Sequence, residues 1–251
     1  MSALRRQLGA LRAALQFLTT LPVPAAGRME SAGQAQALPW YPVVGLLLGS
    51  LIVVLAQWLR MPFYAEAAVL LVFWVALTGA LHLDGLADCA DAWLGGLGDK
   101  ERTLRILKDP LCGALAVVAL VSVLLLKVAA LAALVQGGTV AYVLLVPALA
   151  RGSALLLFRG TAYVRAGGLG ESASRDYPRT QADIVLLALS LLCLVLLPAT
   201  LALAMLLTTL AVFVLVRRAA LRRLGGFTGD IAGAQIELVE TALLFVLVAA
   251  L

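Results

Sequence analysis

Charge is what this chain has little of. Only 13% of its 251 residues are Asp, Glu, Lys or Arg, against about 25% in an ordinary soluble domain. A water-exposed globular surface cannot be built from so few. Histidine occurs once, as His82, and the three cysteines, Cys89, Cys112 and Cys193, are widely spaced with no CxxC pair. That pattern excludes a disulfide framework and a zinc site, and leaves reduced or buried thiols. Internal repeats and low-complexity linkers are also missing, so one membrane domain over residues 1–251 is the simplest organisation.

What the chain has in abundance is hydrophobic length, at 63% of residues. Apolar runs at 41–59, 65–83, 113–135 and 140–158 approach the roughly 20 residues that cross a hydrocarbon core. A fifth run, 184–216, is too long for one ordinary span and contains Pro198, and a last run covers 236–251. Short cytoplasmic loops collect Lys and Arg. A cytoplasmic N-terminus puts Arg5, Arg6, Arg12 and Arg28 inside, together with the bases of the 84–112 and 159–183 loops, and leaves only Arg60 outside. The cluster Arg217, Arg218, Arg222 and Arg223 joins them only if 184–216 is a hairpin of two short spans turning near "LPAT", Leu197 to Thr200. The expected fold is therefore all-α: a polytopic membrane bundle of seven transmembrane helices with the C-terminus outside. The segment "MSALRRQLGALRAALQFLTTLPVP" has its apolar stretch broken by Arg12 and Gln16, which suits an interfacial amphipathic helix better than a cleaved signal peptide. The net charge of +5 sits mostly in inside loops, facing anionic lipid headgroups, and is no pointer to nucleic acid.

The stretch "TGALHLDGLADCAD" closes an apolar run with three carboxylates. At about 100° per residue, Asp84, Asp88 and Asp91 project within a sector of about 60°. Three anions on one face repel one another and call for a cation, and Mg²⁺ is characteristically held by one or two carboxylates together with substrate phosphates. A solvated acidic start to a loop is the plain alternative. The small residues Gly85, Ala87, Ala90 and Ala92 leave room for a ligand to approach the backbone. In "GGFTGDIAGAQIELVE", Asp230, Glu237 and Glu240 fall within about 80° of one another on a continuous helix. Both acidic sets lie at cytoplasmic ends of apolar segments, where they could meet across a bundle and hold one or two metal ions.

Basic residues follow. "DKERTLRILKDP" supplies Lys100, Arg102, Arg105 and Lys108, with Arg102 and Arg105 sharing a helical face with Asp109. This is either a salt-bridged surface helix or a set of ligands for diphosphate oxygens. Arg151 lies about 10 Å inside its span and is expected to face a polar cavity. Lys127 is deeper still, with no partner in its sequence neighbourhood. His82 lies almost opposite the acidic face, a structural position unless the helix breaks at Gly85, when it could act as a general base. "RAGGLGESASRD", Arg165 to Asp176, is a Gly-rich cytoplasmic loop able to close over a ligand, without the strand-loop-helix setting of a dinucleotide fingerprint.

"ALHLDGLADCADAW", Ala80 to Trp93, resembles the signature of the cobalamin synthase family, the adenosylcobinamide-GDP ribazoletransferases, whose usual form runs HLDGLADTADG. "FLTTLPVP" (Phe17 to Pro24), "YPVVGLLLG" (Tyr41 to Gly49), "RILKDPLCGALAV" (Arg105 to Val117) and "GGFTGDIAGAQIELVE" (Gly225 to Glu240) resemble further segments of that family in the same order. Cys89 in place of Thr, Ala92 and Trp93 after the third Asp, and Pro110 in place of Ser depart from its pattern without removing a carboxylate. The resemblance implies a Mg²⁺-dependent transferase of the bacterial inner membrane with a cytoplasmic active face. Its substrates would be adenosylcobinamide-GDP and α-ribazole or α-ribazole 5′-phosphate, its products the joined corrinoid and GMP. Asp84, Asp88, Asp91, Asp230 and Glu237 would be catalytic, the same five with Glu240 would bind metal, and Arg102, Arg105, Lys108 and Arg151 would hold phosphate oxygens. The lipid bilayer is a partner, nucleic acid is not, and there is room for a homo-oligomer or a complex with other B12-assembly enzymes. Two other readings stand beside this one. A CDP-alcohol phosphatidyltransferase-like enzyme is disfavoured because "DGLADC" lacks the Arg of the DGxxAR pattern, and a transporter because most acids sit at one membrane face.

Overall fold

The computed structural model describes residues 3–24 and 31–251. Arg28 of the inside set lies outside the described residues. Twelve α-helices appear among them: α1 (Ala3–Leu18), α2 (Ser31–Ala37), α3 (Tyr41–Trp58), α4 (Phe63–Thr78), α5 (Leu81–Gly95), α6 (Lys100–Ile106), α7 (Ala114–Gln136), α8 (Val146–Gly160), α9 (Leu169–Arg175), α10 (Arg179–Leu196), α11 (Ala199–Leu224) and α12 (Gly229–Val248). The only extended pairing among the described residues is one isolated bridge between Tyr163 and Phe227, so the all-α expectation holds. Six helices are long and apolar enough to cross a membrane, or seven segments if α4 and α5 count as one bent span. Val72, Leu125, Val195 and Leu215 are more than half exposed on their outer faces. Such surfaces match hydrocarbon, since the helices satisfy their own backbone groups.

The run 184–216 splits as expected. Leu197 and Pro198 are extended between α10 and α11, and Pro198, with no N–H to donate, stands at the start of the second helix. The two spans are not short, because α10 begins at Arg179 and α11 continues to Leu224, each carrying its basic end out of the apolar layer.

The run 65–83 is not one straight helix. Gly79 and Ala80 both adopt left-handed backbone, with φ of 59° and 57°, and α5 leaves at 89° to α4. For alanine that conformation costs about 1–2 kcal/mol, a cost the surrounding packing must hold in place. Thr20 supplies part of that packing: its N–H donates to Leu77 O at 2.8 Å and its hydroxyl to Ala76 O at 2.8 Å, satisfying carbonyls left open at the end of α4. The acidic motif therefore rides on a separate helix turned across the end of the bundle.

Glycines set the closest helix crossings. A Cβ on Gly49 would lie 2.2 Å from Leu144 O, and one on Gly45 2.5 Å from Pro147 O, so α3 meets the segment entering α8 backbone to backbone. At the site, a Cβ on Gly85 would lie 2.7 Å from Asp230 O. Gly85 thus makes room for α12 and also lines the central cavity, and α12 runs through the middle of the bundle against α5, α7, α8 and α11. Gly49→Val is expected to destabilise the protein by about 1–3 kcal/mol through overpacking, read as a lower midpoint of unfolding in detergent.

Candidate active site

The three acids of α5 share a face but not a fate. Asp91 is tied to the start of α7: its Oδ2 accepts the Gly113 N–H at 2.6 Å and its Oδ1 the Ala116 N–H at 3.0 Å. An anion at a helix N-terminus satisfies open N–H groups and complements the dipole. Asp84 is exposed and Asp88 half-buried, and neither carboxylate takes a hydrogen bond or ion pair among the described residues. Asp88 feels the charges of Asp84, Asp230, Arg165 and Asp91, which places all of these in one electrostatic neighbourhood.

Between α5 and α7, the Asp99 side chain caps α6 by accepting the Arg102 N–H at 3.0 Å, which holds its carboxyl below the usual carboxylate range. The helix stops at Ile106, and Asp109 Oδ1 accepts the Leu111 N–H at 3.0 Å instead of joining the Arg102 and Arg105 face. Lys108 lines the central cavity, whereas Arg102 and Arg105 are exposed away from it.

That cavity has a volume of about 810 Å³. It lies at the end of the bundle where α1, α2, α5, the 161–170 segment and the start of α12 converge, and its polar lining includes Asp84, Lys108, Arg165 and Asp230. Arg165 Nη1 donates to both oxygens of Asp230, at 3.1 and 2.9 Å. The pairing depends on a short extended contact: Val164 N–H donates to Phe227 O at 3.0 Å and Phe227 N–H to Ala162 O at 2.9 Å, which sets the chain before Arg165 beside the chain before Asp230. Gly226 is required there, because a Cβ would lie 2.2 Å from Ala162 O. Thr228 caps α12 and its hydroxyl donates to Asp230 Oδ2 at 3.2 Å. The Gly-rich stretch forms one wall, with Gly168 and Gly170 packed under the Tyr163 ring, whose burial pushes its hydroxyl above the usual phenol range. The Ser172 hydroxyl bonds Gln34 Oε1, joining α9 to α2. Helix α1 is more than an interfacial helix: Ala10, Ala14 and Leu18 are buried, and Gln16 and Phe17 line the cavity.

Glu237 and Glu240 stand elsewhere. Lys127 Nζ lies 2.6 Å from Glu237 Oε2 and 2.6 Å from Glu240 Oε2, and Arg151 Nη1 lies 2.9 Å from Glu240 Oε1 and donates to Pro147 O at 3.1 Å. All four side chains are at most 6% exposed, and the Lys127 ammonium sits 4.9 Å from the centre of the Trp74 ring. The two acidic sets expected to meet do so only through Asp230. Glu237 lies about 10 Å further along α12, and neither it nor Glu240 lines the cavity. Nor does Arg151, whose expected phosphate contact is replaced by Glu240 and a backbone carbonyl. His82 is buried beside Gly233 and lines the cavity, but α5 runs unbroken through Gly85, so the break that would free it as a base is absent.

Among the described residues, no three His, Cys, Asp or Glu side chains form a ready metal cage. The donor set fits a partial site: two unpaired carboxylates one turn apart, Asp84 and Asp88, beside a cavity able to admit phosphate oxygens. That is the mode in which Mg²⁺ is commonly held.

Lys127→Met would leave two glutamates buried together without their shared cation. A loss of about 3–5 kcal/mol is expected, measured by chemical unfolding in detergent, with Glu237→Gln added to the same chain recovering part of it.

The profile of the family described as Cobalamin-5-phosphate synthase matches residues 10–248. Among similar proteins, the adenosylcobinamide-GDP ribazoletransferase of Pseudomonas entomophila (strain L48) is 52% identical over 92% of this chain and 95% of its own length. The enzyme of the same name from Stutzerimonas stutzeri (strain A1501) is 52% identical over 92% and 94%, and that of Pseudomonas syringae pv. syringae (strain B728a) 48% over 93% and 96%. No solved structure matches the chain. A profile running from α1 to the end of α12, with relatives half identical over nearly their whole length, means that this chain belongs to the cobalamin-5-phosphate synthase family.

Proposed function

We propose that this protein transfers the cobinamide phosphate group of adenosylcobinamide-GDP to a ribose hydroxyl of α-ribazole or α-ribazole 5′-phosphate and releases GMP. The observation that carries the reading is the convergence of Asp84, Lys108 and the Arg165–Asp230 pair on one cavity at the polar end of an apolar bundle. A displacement at phosphorus needs cations around the diphosphate and a fixed line between the attacking hydroxyl and the leaving group. Lys108 and Arg165 supply fixed positive charge, and the planar guanidinium suits two phosphate oxygens. Asp230 holds that guanidinium through its Nη1. Mg²⁺ held by Asp84 and Asp88 would neutralise charge on the diphosphate and the departing GMP. Proton acceptance from the hydroxyl falls to the carboxylates facing the cavity, Asp84 and Asp230, of which Asp230 shares its oxygens with Arg165.

The same reading sets the site on the cytoplasmic side of a bacterial inner membrane. Lys108 and Arg165 line the cavity, and Arg159, Arg175, Arg179 and Arg223 lie at ends of α8, α9, α10 and α11; basic residues gather on the cytoplasmic side.

With liposome-reconstituted protein and both substrates, Asp84→Asn and Arg165→Met are each expected to lower kcat/KM for GMP release by about 100-fold, or ~2.7 kcal/mol, and chelation of Mg²⁺ to abolish it. Wild-type activity in either variant would remove that residue from the site. Cys112, exposed in the loop before α7, is expected to react with a membrane-impermeant maleimide in inverted inner-membrane vesicles and not in intact spheroplasts.

A further inference from the structure

The residues that line the cavity form two unlike groups, one apolar and one charged, and each is called here an end. Leu18 and Ala37, with Ala13, Tyr41 and Leu81 packed on them, belong to one hydrophobic cluster and also line the cavity. Phe17 stacks on Tyr41, ring centres 6.1 Å apart and planes inclined by 23°. Asp84 follows Leu81 by one helical turn, and beyond it lie Lys108, Arg165 and Asp230. Two amides also line the cavity: Gln16 Nε2 donates to Pro24 O at 3.2 Å, and Gln34 Oε1 accepts the Ser172 hydroxyl.

Two heteroaromatic bases take part in the proposed reaction. Guanine carries donors and acceptors around its edge, and burying them unpaired is costly. The acidic residues among the cavity lining, Asp84 and Asp230, stand at the other end, so none faces guanine's N–H groups here. The dimethylbenzimidazole of ribazole has an apolar edge, one free ring nitrogen and no N–H donor. An aromatic and aliphatic wall suits it.

We infer that the apolar end, walled by Phe17, Tyr41, Ala13 and Ala37, seats the base of the ribazole acceptor, and that the nucleotide diphosphate donor is confined to the charged end. The ribose hydroxyl is thereby directed from Leu81 toward Asp84, where its proton passes to a cavity-facing carboxylate as the O–P bond forms, the diphosphate P–O bond breaks and GMP departs with that bond's electron pair. This assignment rests on the proposed transfer reaction.

Two substitutions test it on reconstituted protein. Phe17→Ala removes the stacking ring and Ala13→Phe fills the space, and each is expected to raise the KM for α-ribazole about tenfold while the KM for adenosylcobinamide-GDP changes less than about twofold. Equilibrium dialysis of α-ribazole and of GMP against purified protein, without donor, is expected to show weakened ribazole binding and unchanged GMP binding, at unaltered unfolding midpoints. A rise in donor KM or loss of GMP binding, with ribazole unaffected, would overturn the assignment and give this end to guanine. An absence of GMP release from folded wild-type protein would sink the transfer reaction, and dialysis would still decide whether this end takes the ribazole base.

Discussion

A buried set of four charges, Lys127 and Arg151 against Glu237 and Glu240, fixes how the central helices stand. Ionised groups this far from water persist only when each meets its opposite at hydrogen-bond distance. Because Lys127 comes from α7, Arg151 from α8 and both glutamates from α12, the match exists in only one rotation of those three helices. Trp74 of α4 adds a fourth element through its ring face. In a hydrocarbon setting, where apolar contact between helices gains little over contact with lipid, such a set can specify what hydrophobicity leaves open.

The rotation of α12 decides the rest of the site. With Glu237 and Glu240 turned toward Lys127, Asp230, two turns earlier on the same face, emerges at the end of the bundle beside Gly85. The left-handed pair Gly79 and Ala80 bends α5 across that end, so Gly85 meets α12 and Asp91 meets the start of α7 instead of continuing along a span. Glycine at 85 and 233 lets the two helices touch, and the extended contact at Phe227 delivers Arg165 to Asp230. One face of one helix thus carries an interior lock at its middle and a polar site at its start.

The acids divide their labour accordingly. Asp91 and Asp99 close helix N-termini, Asp230 pairs with Arg165, the two glutamates balance buried cations, and Asp84 and Asp88 take no hydrogen bond or ion pair among the described residues. The cavity wall thus carries both signs of charge, Asp84 and Asp230 with Lys108 and Arg165.

The sequence by itself determined the class and the family, and all the spans except the broken one at 65–83. Apolar run length, the placement of Lys and Arg, and Pro198 are local or additive signals, and they gave the bundle and its hairpin without tertiary information. The spacing of Asp84, Asp88 and Asp91 likewise placed three carboxylates on one face, because helical periodicity is a property of the chain alone. Only the tertiary structure decided what each charge does. Glu237 and Asp230 are equivalent by spacing, and Lys127 has no partner within reach along the sequence, because the groups that bind it lie 110 and 113 residues away. Arg165 is 65 residues from Asp230 and was legible only as part of a Gly-rich loop. The break between α4 and α5 escaped the reading because alanine gives no warning of a left-handed backbone, which the Thr20 contacts and the crossing with α12 impose from outside.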